Sequence, residues 1–250
     1  MTAKNDVRRA LVTGAGSGMG QLLALRLVRQ GTDVIAVDRD EAGLKVLHDA
    51  GPGKVTTHTI DVTDADAMAD VVTSQHHTLL VTAAGIGYTG KIAETPAAVH
   101  AKIMAVNYQG TVNAVTAALP GYLARGSGRL VLFSSILGWL PVPQHGPYGA
   151  TKSALVIYAQ TLRHELRGTG VRVSCVCPPA VATPMLDDMP AARAVSQRTM
   201  MTPAAAVDAI ERGLDKGRFW IFPGIARPVA IGQRLFPEVL RVAIGSLLNR

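Results

Sequence analysis

A predicted strand, a glycine-rich loop and an amphipathic helix follow one another near the start of the chain. The strand is predicted over residues 8–13, and apolar residues recur at helical spacing from Leu22 to Val28. Between them the chain reads Thr-Gly-x-x-x-Gly-x-Gly over residues 13–20, which differs from the Gly-x-Gly-x-x-Gly spacing. This order of elements lets a pyrophosphate rest on the helix N-terminus, although a flexible turn is the alternative. The predicted binding residues of the loop are Thr13, Gly14, Ser17, Gly18, Met19 and Gly20.

A second predicted strand, residues 33–38, ends on a carboxylate that bears on cofactor choice. Asp38 follows Gly20 by 18 residues, and an acid at this place can accept hydrogen bonds from a ribose diol. It would also repel a 2′-phosphate by roughly 1–4 kcal/mol at about 4 Å. Asp38, together with Ser17 where a basic residue could stand, therefore favours NAD over NADP. Arg39 is the counter-argument, because it could meet such a phosphate.

Predicted strands alternate with helical patterns along the rest of the chain. The further strands are predicted over residues 55–61, 78–82, 128–135, 171–177 and 219–222. Strands separated by helices favour a parallel sheet that is covered by helices on both faces. The chain has 250 residues, of which 48% are hydrophobic and 17% charged. It is therefore predicted to be a single α/β domain over residues 1–250, with about seven strands.

Charge, cysteine usage and hydropathy exclude several classes of protein. The net charge of +7 could suggest nucleic acid, but no basic run, aromatic platform or zinc spacing accompanies it, so no nucleic-acid partner is expected. Cys175 and Cys177 fall on one side of a predicted strand and are expected to be buried thiols in a reducing compartment. Residues 1–9 are short and polar, and no stretch is long and apolar enough to span a bilayer. A cytoplasmic protein is expected.

Tyr148 and Lys152 stand four residues apart in a predicted helix that continues through Leu162. Residues at this spacing share one helix face, which places the phenol beside the ammonium. A neighbouring positive charge favours the phenolate, so Lys152 is expected to lower the pKa of Tyr148 towards neutrality. Tyr148 could then serve as a general acid or base. Taken alone, the pair also fits a solvated helix face.

Two further predicted strands end on residues that suit a nucleotide. Asp61, which is followed by Val62, could hold an adenine amino group. It could also cap the helix that begins near Asp64, and the two roles are compatible. Ala84 and Gly85 follow the fourth predicted strand and are small enough to let a cofactor lie against the backbone. Both places extend the predicted cofactor site.

With these features the chain resembles the short-chain dehydrogenase/reductase family over roughly residues 8–225. The loop of residues 13–20 resembles the cofactor loop of the family, and residues 61–63, Asp-Val-Thr, resemble its adenine-side motif. The resemblance implies a single Rossmann-like, doubly wound parallel sheet with helices on both faces. It also implies an NAD(P)-dependent oxidoreductase that acts on an alcohol or a ketone.

The resemblance further implies a role for each of four side chains. Ser135 precedes Tyr148 by 13 residues, the spacing usual in the family, which favours Ser135 over Ser134. Tyr148 would be the general acid or base on the substrate oxygen, and Lys152 would lower its pKa and hold the nicotinamide ribose. Ser135 would hydrogen-bond the substrate oxygen and fix the reacting carbon. Asn107, in an unusual place for an asparagine, would position a water that links Lys152 to solvent.

The chain departs from the family pattern at three places. Residues 82–83 are Thr-Ala where the family has Asn-Asn, so amide bonds that brace this loop are expected to be missing. His76 and His77 replace an aspartate before the fourth strand and are interpreted as surface residues rather than metal ligands, so no metal is expected. Pro179 replaces a glycine and would stiffen its loop. The resemblance places the carboxamide anchor of the cofactor on Pro178, Val181 and Thr183.

The predicted substrate region is the segment of residues 184–201. It has few regular signals and contains Met185, Leu186, Met189, Met200 and Met201. These residues suit a mobile lid with an adaptable apolar lining, although methionines in a loop also fit plain packing. Together with Trp139 the lid suggests a lipophilic substrate. The predicted substrate contacts are Ser135, Trp139, Tyr148 and Met185.

The segment of residues 225–250 mixes apolar residues with arginines at 227, 234, 241 and 250. A basic amphipathic helix here could lie on an anionic membrane. The favoured alternative is packing on a neighbouring subunit or over the substrate cleft, because closed homo-oligomers are common. A homodimer or homotetramer is therefore expected, as the family resemblance also implies. A rival function is an NAD(H)-sensing regulator without turnover, which would not need Ser135 and Tyr148 together.

Overall fold

The structure is a computed structural model that describes residues 9–189 and 200–239. Seven strands lie in these residues: β1 Arg9–Thr13, β2 Asp33–Asp38, β3 Val55–Thr59, β4 Leu79–Thr82, β5 Gly128–Phe133, β6 Val171–Val176 and β7 Trp220–Ile221. They form one sheet in the order β3-β2-β1-β4-β5-β6-β7. Every neighbouring pair is parallel. The predicted doubly wound parallel sheet is confirmed.

Helices connect the strands and cover the sheet. They are α1 Gly18–Arg29, α2 Glu41–Lys45, α3 Ala65–Ser74, α4 Ala97–Met104, α5 Gly110–Arg125, α6 Gly146–Glu165, α7 Pro203–Asp215 and α8 Ala226–Leu235. One turn of π-helix, Ala105–Gln109, joins α4 to α5. Single 3-10 turns lie at Ile92–Glu94, Ile136–Gly138 and Pro184–Asp188. Short polar caps start two of the helices, since Asp64 accepts from the Ala67 amide and Thr202 from the Ala205 amide.

Two apolar cores lie on opposite faces of the sheet. On one face α1, α2 and α7 bury residues such as Leu23, Leu44 and Ile210. On the other face α3, α5 and α6 bury residues such as Val72 and Leu162. Full burial of one such side chain stabilises the fold by about 1.5–3 kcal/mol. Strands that are apolar on both sides are stable only with helices on both faces, which explains the layered arrangement.

The chain reverses its direction of winding at β1. The strand β1 pairs with β2 on one side and with β4 on the other. Loops that leave the carboxyl ends of β1 and β4 therefore diverge and open a crevice, which is where ligands bind in sheets of this kind. All strands point their carboxyl ends to the same edge, so residues that follow different strands meet there.

Some predicted boundaries are wrong by a few residues. The fifth strand ends at Phe133 rather than at residue 135. The reason is that the Ser135 side chain accepts a hydrogen bond from the Leu137 amide and starts a 3-10 turn. The helix after β2 is short and ends at Lys45. The residues that follow form turns that pack Leu47 into the core.

The prediction that His77 lies on the surface is wrong. His77 is only 3% exposed, and its Nδ1 lies 3.0 Å from the hydroxyl oxygen of Tyr122. Arg125 donates to the carbonyl oxygen of His77 at 3.1 Å. Both partners come from α5, but only Tyr122 contacts the imidazole, whose buried Nε2 has no hydrogen-bond partner among the described residues. The neighbouring His76 is exposed, as predicted.

Parts of three predicted segments lie outside the described residues: residues 1–8, residues 190–199 of the lid and residues 240–250 of the tail. Among the helices that the structure does describe, none combines the length and the hydropathy needed to cross a membrane.

Candidate active site

The loop between β1 and α1 packs so closely on other backbone that it excludes side chains. A Cβ atom on Gly14 would lie 2.5 Å from the amide nitrogen of Ala84, and one on Gly20 would overlap the carbonyl oxygen of Gly14. Gly14 and Gly18 also have positive φ angles of 70° and 58°, which favour glycine. The glycines therefore bring the start of α1 against the loop after β4. Thr13 supports this contact from within β1, because its hydroxyl accepts from the Ala84 amide at 3.4 Å.

A cavity of about 440 Å³ opens beside this loop, and we call it the glycine-loop cavity. Its volume falls within the range of small-molecule sites, about 300–1,000 Å³. The first turn of α1 borders it, which suits an anionic group. The glycine cradle, the helix N-terminus and the carboxylate at the end of β2 fit a dinucleotide. The predicted cofactor residues that line it are Gly14, Ser17, Gly18, Met19, Gly20, Asp38, Arg39, Asp61, Val62, Ala84, Gly85 and Thr183.

The Asp38 carboxylate is fixed at the end of β2. Its Oδ2 accepts from the Gly16 amide at 2.8 Å and its Oδ1 from the Asp40 amide at 3.0 Å. A Cβ atom on Gly16 would lie 2.8 Å from the Asp38 Cγ, so the glycine is needed for this contact. Each oxygen retains a lone pair that can accept from a diol. The exposed Arg39 borders the same cavity.

Asp61 and Val62 form the other end of the glycine-loop cavity. The Thr63 amide and hydroxyl donate to Asp61 at 2.9 and 2.8 Å. The hydrogen bond from the amide is the main cause that lowers the pKa of Asp61. Asp64 is the residue that caps α3, so the alternative role of Asp61 as that cap is wrong. Val62 is held from α5, where Asn113 donates to its carbonyl oxygen at 2.9 Å.

A second cavity, of about 240 Å³, adjoins the first, and we call it the tyrosine cavity. Ser135, Tyr148 and Lys152 all border it. The two cavities therefore form one continuous crevice in which a ligand of the first can reach a ligand of the second. The residues that border both are Met19, Ala83, Phe133, Thr183 and Met185.

The expected lowering of the pKa of Tyr148 is wrong for this structure. Burial raises the pKa of Tyr148 to about 12, and a hydrogen bond with Ser135 offsets only part of this effect. The reason is that the tyrosine cavity is mostly apolar and disfavours the phenolate. The Lys152 Nζ atom lies 5.6 Å from the centre of the phenol ring and is not a cause of the shift. The phenol is therefore protonated at neutral pH.

Lys152 is buried at the junction of the two cavities. It is 3% exposed, and its ammonium donates to the carbonyl oxygen of Phe133 at 2.9 Å. Burial lowers the pKa of Lys152 to about 8. A Cβ atom on Gly85 would lie 3.6 Å from the Lys152 Nζ, so the ammonium stands next to the glycine-loop cavity. It does not point to bulk water.

Asn107 lies in the π-helical turn between α4 and α5 and is fully buried. Its Oδ1 accepts from the Ile86 amide at 2.8 Å, and its Nδ2 donates to the Ile86 carbonyl at 3.1 Å. The Nδ2 also donates to the Thr151 hydroxyl at 3.1 Å. The asparagine therefore lies in a π-helical turn, a feature that is frequent at functional sites. The loop after β4 is thus braced by Asn107, although the family's asparagines at 82–83 are missing.

The two serines after β5 have different surroundings. Ser134 donates to the carbonyl oxygen of Lys152 at 2.7 Å, and Ser153 donates back to the carbonyl oxygen of Gly138 at 2.9 Å. These bonds join the turn of residues 134–138 to α6. Both serines border the tyrosine cavity, but the Ser135 hydroxyl is the one that contacts the phenol of Tyr148. This difference supports Ser135, rather than Ser134, as the substrate-facing residue.

The predicted carboxamide anchors lie where the two cavities meet. Pro178 and Val181 border the tyrosine cavity, and Thr183 borders both cavities. The segment is tied down by the Ala182 amide, which donates to the carbonyl oxygen of Met201 at 2.9 Å. Met185 also borders both cavities, as expected of a substrate contact.

Trp139 does not border the tyrosine cavity, so its predicted substrate contact is not supported. The 3-10 turn Ile136–Gly138 directs the tryptophan to the edge of the sheet. Its ring lies 5.0 Å from that of Trp220 and 5.9 Å from that of Phe222, measured between centroids. The neighbouring Leu137 and Leu140 border the tyrosine cavity instead.

Two parts of the tyrosine cavity were missed from the sequence. His145 borders it, is 2% exposed, and has its Nδ1 2.9 Å from the Pro143 carbonyl oxygen. Its position three residues before Tyr148 was the available signal, since that spacing puts two residues on one helix face. Ile225, Ala226 and Val229, at the start of α8, form another wall. No local signal links them to Tyr148, although cover of the cleft by this segment was one alternative.

The comparisons with known proteins agree with this geometry. The family model described as short chain dehydrogenase matches residues 8–194 of this chain. An uncharacterized oxidoreductase of Myxococcus xanthus is 34% identical over 223 residues, which cover 86% of this chain and 87% of the relative.

Two solved structures are similar over most of the chain. A short-chain dehydrogenase from Sphingobium yanoikuyae in complex with NADPH has a TM-score of 0.80 and 26% identity, covering 96% of this chain and 95% of that one. A 3-oxoacyl-[acyl-carrier protein] reductase with bound NAD from Brucella melitensis has a TM-score of 0.76 and 26% identity, covering 87% and 90%. The resemblance inferred from the motifs is confirmed.

Proposed function

The chain belongs to the short-chain dehydrogenase family, and on that basis we propose that it transfers a hydride between NAD(H) and a lipophilic secondary alcohol or ketone. The observation that carries this proposal is the continuous crevice, in which a glycine-lined cavity adjoins an apolar cavity bordered by Ser135, Tyr148 and Lys152. In this proposal the two buried polar side chains Tyr148 and Lys152 would stand beside the nicotinamide.

The residues of the glycine-loop cavity would hold the dinucleotide. When bound, the cofactor supplies or accepts the hydride. The amides at the start of α1 would bind its pyrophosphate, and Asp38 would accept from a ribose diol. Lys152, which stands next to Gly85, would donate to the nicotinamide ribose. Thr183 and Val181 would contact the carboxamide.

Tyr148 would move the proton. Because burial raises the pKa of Tyr148 to about 12, its hydroxyl is protonated at neutral pH and can donate to a ketone oxygen as the alcohol forms. Ser135 would hold that oxygen and fix the reacting carbon. In alcohol oxidation the phenolate form of Tyr148, the minor form at neutral pH, would accept the proton. The role of Asn107 in positioning a water stays a prediction.

The preference for NAD over NADP rests on Asp38. A fixed carboxylate at the end of β2 suits a free ribose diol and opposes a 2′-phosphate. Similar structures carry NADPH in one case and NAD in another, so they favour neither cofactor. Arg39 remains the residue that could support NADP.

A lipophilic substrate is supported by the composition of the tyrosine cavity. Leucines, methionines and the apolar start of α8 surround Tyr148, and polar side chains are few. An apolar pocket with a few placed polar groups binds apolar molecules and orients them by one functional group. The apolar residues of this lining include Leu137, Leu140, Val142, Met185, Leu186, Met189, Ile225 and Val229.

The test is turnover by Tyr148→Phe with a panel of secondary alcohols and ketones. Loss of the proton donor should lower kcat by about 10²–10⁴, whereas the dissociation constant of NADH, measured by its fluorescence, should stay within error. Tyr158→Phe is the matched control, since it removes the same hydroxyl from a ring of α6 that packs on Tyr108 and borders neither cavity. Parent turnover by Tyr148→Phe would refute the mechanism. NADH binding by a parent protein that turns over no member of the panel would favour the sensing regulator.

We also propose a homodimer or homotetramer in the cytoplasm. Exposed apolar side chains on the outer helices, such as Leu123 on α5 and Ile157 on α6, support self-association. Cys175 and Cys177 are free thiols whose sulfur atoms lie 3.8 Å apart, which supports a reducing compartment. Sedimentation equilibrium tests the oligomer. Co-sedimentation with anionic vesicles would instead support membrane contact by the tail.

A further inference from the structure

A third cavity, of about 450 Å³, lies outside the crevice described above. It is bordered by three aromatic residues at the β7 edge of the sheet and by three arginines, and we call it the arginine cavity. Its volume matches that of the glycine-loop cavity and falls in the small-molecule range. The residues that define it are Trp139, Arg218, Trp220, Phe222, Arg227 and Arg234.

No carboxylate in the described part of the chain pairs with the three arginines of this cavity. In the part of the chain that the structure describes, Arg218, Arg227 and Arg234 form no ion pair, and no acidic residue borders the cavity. Arg26 shows the contrast, because it pairs with two carboxylates of α7. Guanidinium groups that share one cavity repel one another, and a carboxylate or phosphate would bind them in a bidentate manner.

The floor of the cavity is aromatic, and one of its side chains also has a buried, unsatisfied donor. The rings of Trp139 and Trp220 lie 5.0 Å apart, and those of Trp220 and Phe222 lie 5.8 Å apart with an angle of 31°. The indole Nε1 of Trp139 is buried and has no hydrogen-bond partner among residues 9–189 and 200–239. A buried donor without an acceptor is rare and costly. The rings therefore offer the cavity an apolar surface, whereas the buried indole nitrogen is closed to it.

We infer that the arginine cavity is a second binding site, which takes a small organic anion with an aromatic or apolar body. The arginines would bind its carboxylate or phosphate, and the aromatic side chains would cover its ring. A second copy of the chain is the less favourable occupant, because a twofold contact sets each patch against itself. That contact would bring arginines against arginines.

The helix α8 separates this site from the substrate. Ala226 and Val229 of α8 border the tyrosine cavity, whereas Arg227, Ala230 and Arg234 border the arginine cavity. The two sites therefore lie on different faces of one helix. An anion in the arginine cavity leaves both the glycine-loop cavity and the tyrosine cavity free.

Intrinsic fluorescence offers a direct test, since the chain has two tryptophans and both Trp139 and Trp220 border this cavity. The full chain is titrated with phenyl phosphate in the presence of saturating NADH. A saturable change in tryptophan fluorescence is expected. Inorganic phosphate, which lacks the ring, and benzyl alcohol, which lacks the charge, should each bind at least about tenfold more weakly.

The double variant Arg227→Gln/Arg234→Gln should weaken phenyl phosphate binding by about tenfold or more. The matched control is Arg29→Gln/Arg167→Gln, which removes the same charge from exposed sites elsewhere and should leave binding unchanged. Arg218→Gln alone provides a second variant if the double variant is unstable. None of these changes touches the crevice, and the readout does not require turnover.

Four results would overturn the inference. They are the absence of a saturable change, equal binding of benzyl alcohol or inorganic phosphate, an equal loss in the control variant, and displacement of phenyl phosphate by NADH. Sedimentation of the same variants completes the test. A dimer that dissociates in Arg227→Gln/Arg234→Gln, without phenyl phosphate binding to the parent, would identify the cavity as an interface between copies.

Discussion

Tyr148 is protonated at neutral pH because its surroundings are apolar. The ammonium group four residues further along the chain does not change this. The apolar walls of the tyrosine cavity disfavour the phenolate, and the Lys152 ammonium is occupied by the carbonyl oxygen of Phe133. A Tyr and Lys pair on a solvent-exposed helix would lack both features. The chemistry of the site is thus decided by burial as much as by the motif.

Asp38 is the single side chain on which the cofactor preference depends. Asp38→Asn removes the negative charge but keeps an oxygen that can accept from the Gly16 amide. We expect the affinity for NADPH relative to NADH to rise by about ten- to a thousandfold, since a repulsion of roughly 1–4 kcal/mol is removed. Parallel fluorescence titrations with both cofactors measure the ratio. Asp66→Asn, at an exposed place on α3, should leave it unchanged.

A parent protein that already binds NADPH more tightly than NADH would contradict the role given to Asp38. In that case Arg39 would be the dominant residue, and Arg39→Gln should restore the preference for NADH. The two variants therefore separate the two neighbouring contributions.

The motifs predicted which residues of the site meet, but not how burial would alter them. Thr13 to Gly20, Ser135, Tyr148 and Lys152 could be identified because their spacing is local or fixed by the family resemblance. The pKa of Tyr148 and the place of Trp139 could not, because both depend on elements far along the chain. Trp139 contacts Trp220 and Phe222, which lie on and beside the edge strand β7.

At the scale of elements, the start of α1 and the loop before it act as one packed unit. Gly20→Ala would place a methyl group onto the carbonyl oxygen of Gly14, so the loop and the helix must separate. An overlap of this kind costs about 1–3 kcal/mol. We expect the dissociation constant of NADH to rise by about five- to 150-fold, as measured by fluorescence titration.

Gly31→Asn is the control for Gly20→Ala. Gly31 has a positive φ of 83° but no atom within 4 Å of its Cβ position, and asparagine tolerates this conformation better than most residues. It should lower stability slightly and leave NADH binding unchanged. Equal NADH binding by Gly20→Ala and the parent would show that the close approach is not needed for the site.

Element types were easier to predict than element ends. Runs of valine and leucine predicted the strands because both faces of the sheet are buried. The end of β5 was misplaced, since a hydrogen bond from the Leu137 amide to Ser135 breaks the strand pattern. The contribution of α8 to the substrate cavity was one of several alternatives, because amphipathic character alone does not reveal which surface a helix covers.

Stability against acid is a property of the whole molecule, and His77 contributes to it. Burial lowers the pKa of His77 from 6.5 to about 4, so the folded state binds a proton less readily than the unfolded state. Its contribution is present above the unfolded pKa and is lost as the pH falls towards the folded pKa. Between about pH 7 and about pH 5 the free energy of unfolding should fall by about 2 kcal/mol from this group.

His77→Asn tests this contribution. The variant should be less stable at neutral pH, because the contact with Tyr122 is altered, yet it should lose less stability than the parent between the two pH values. Urea unfolding of both proteins at each pH measures the difference. His76→Asn is the matched control, since His76 is exposed. An unchanged pH dependence in His77→Asn would contradict the assignment.

The fold and the crevice of the whole molecule were predictable, but the arginine cavity was not. Alternating patterns fix a parallel sheet, and the carboxyl ends of its strands must meet at one edge. The arginine cavity depends on a turn after β5, the edge strand β7 and α8, which no motif connects. Arg227 and Arg234 belonged only to a sequence pattern that several surfaces could explain, and Arg218 lay outside that pattern.

The hydrogen bonds of Ser134 and Ser153 join the turn of residues 134–138 to α6 in both directions. Ser135, Tyr148 and Lys152 are therefore carried by one rigid body, while most of the substrate wall belongs to other segments. Because of this division, the substrate can change during evolution while the geometry of the proton-transfer residues stays the same. Substitutions in α8 and near Met185 could then change the substrate without changing the catalytic residues.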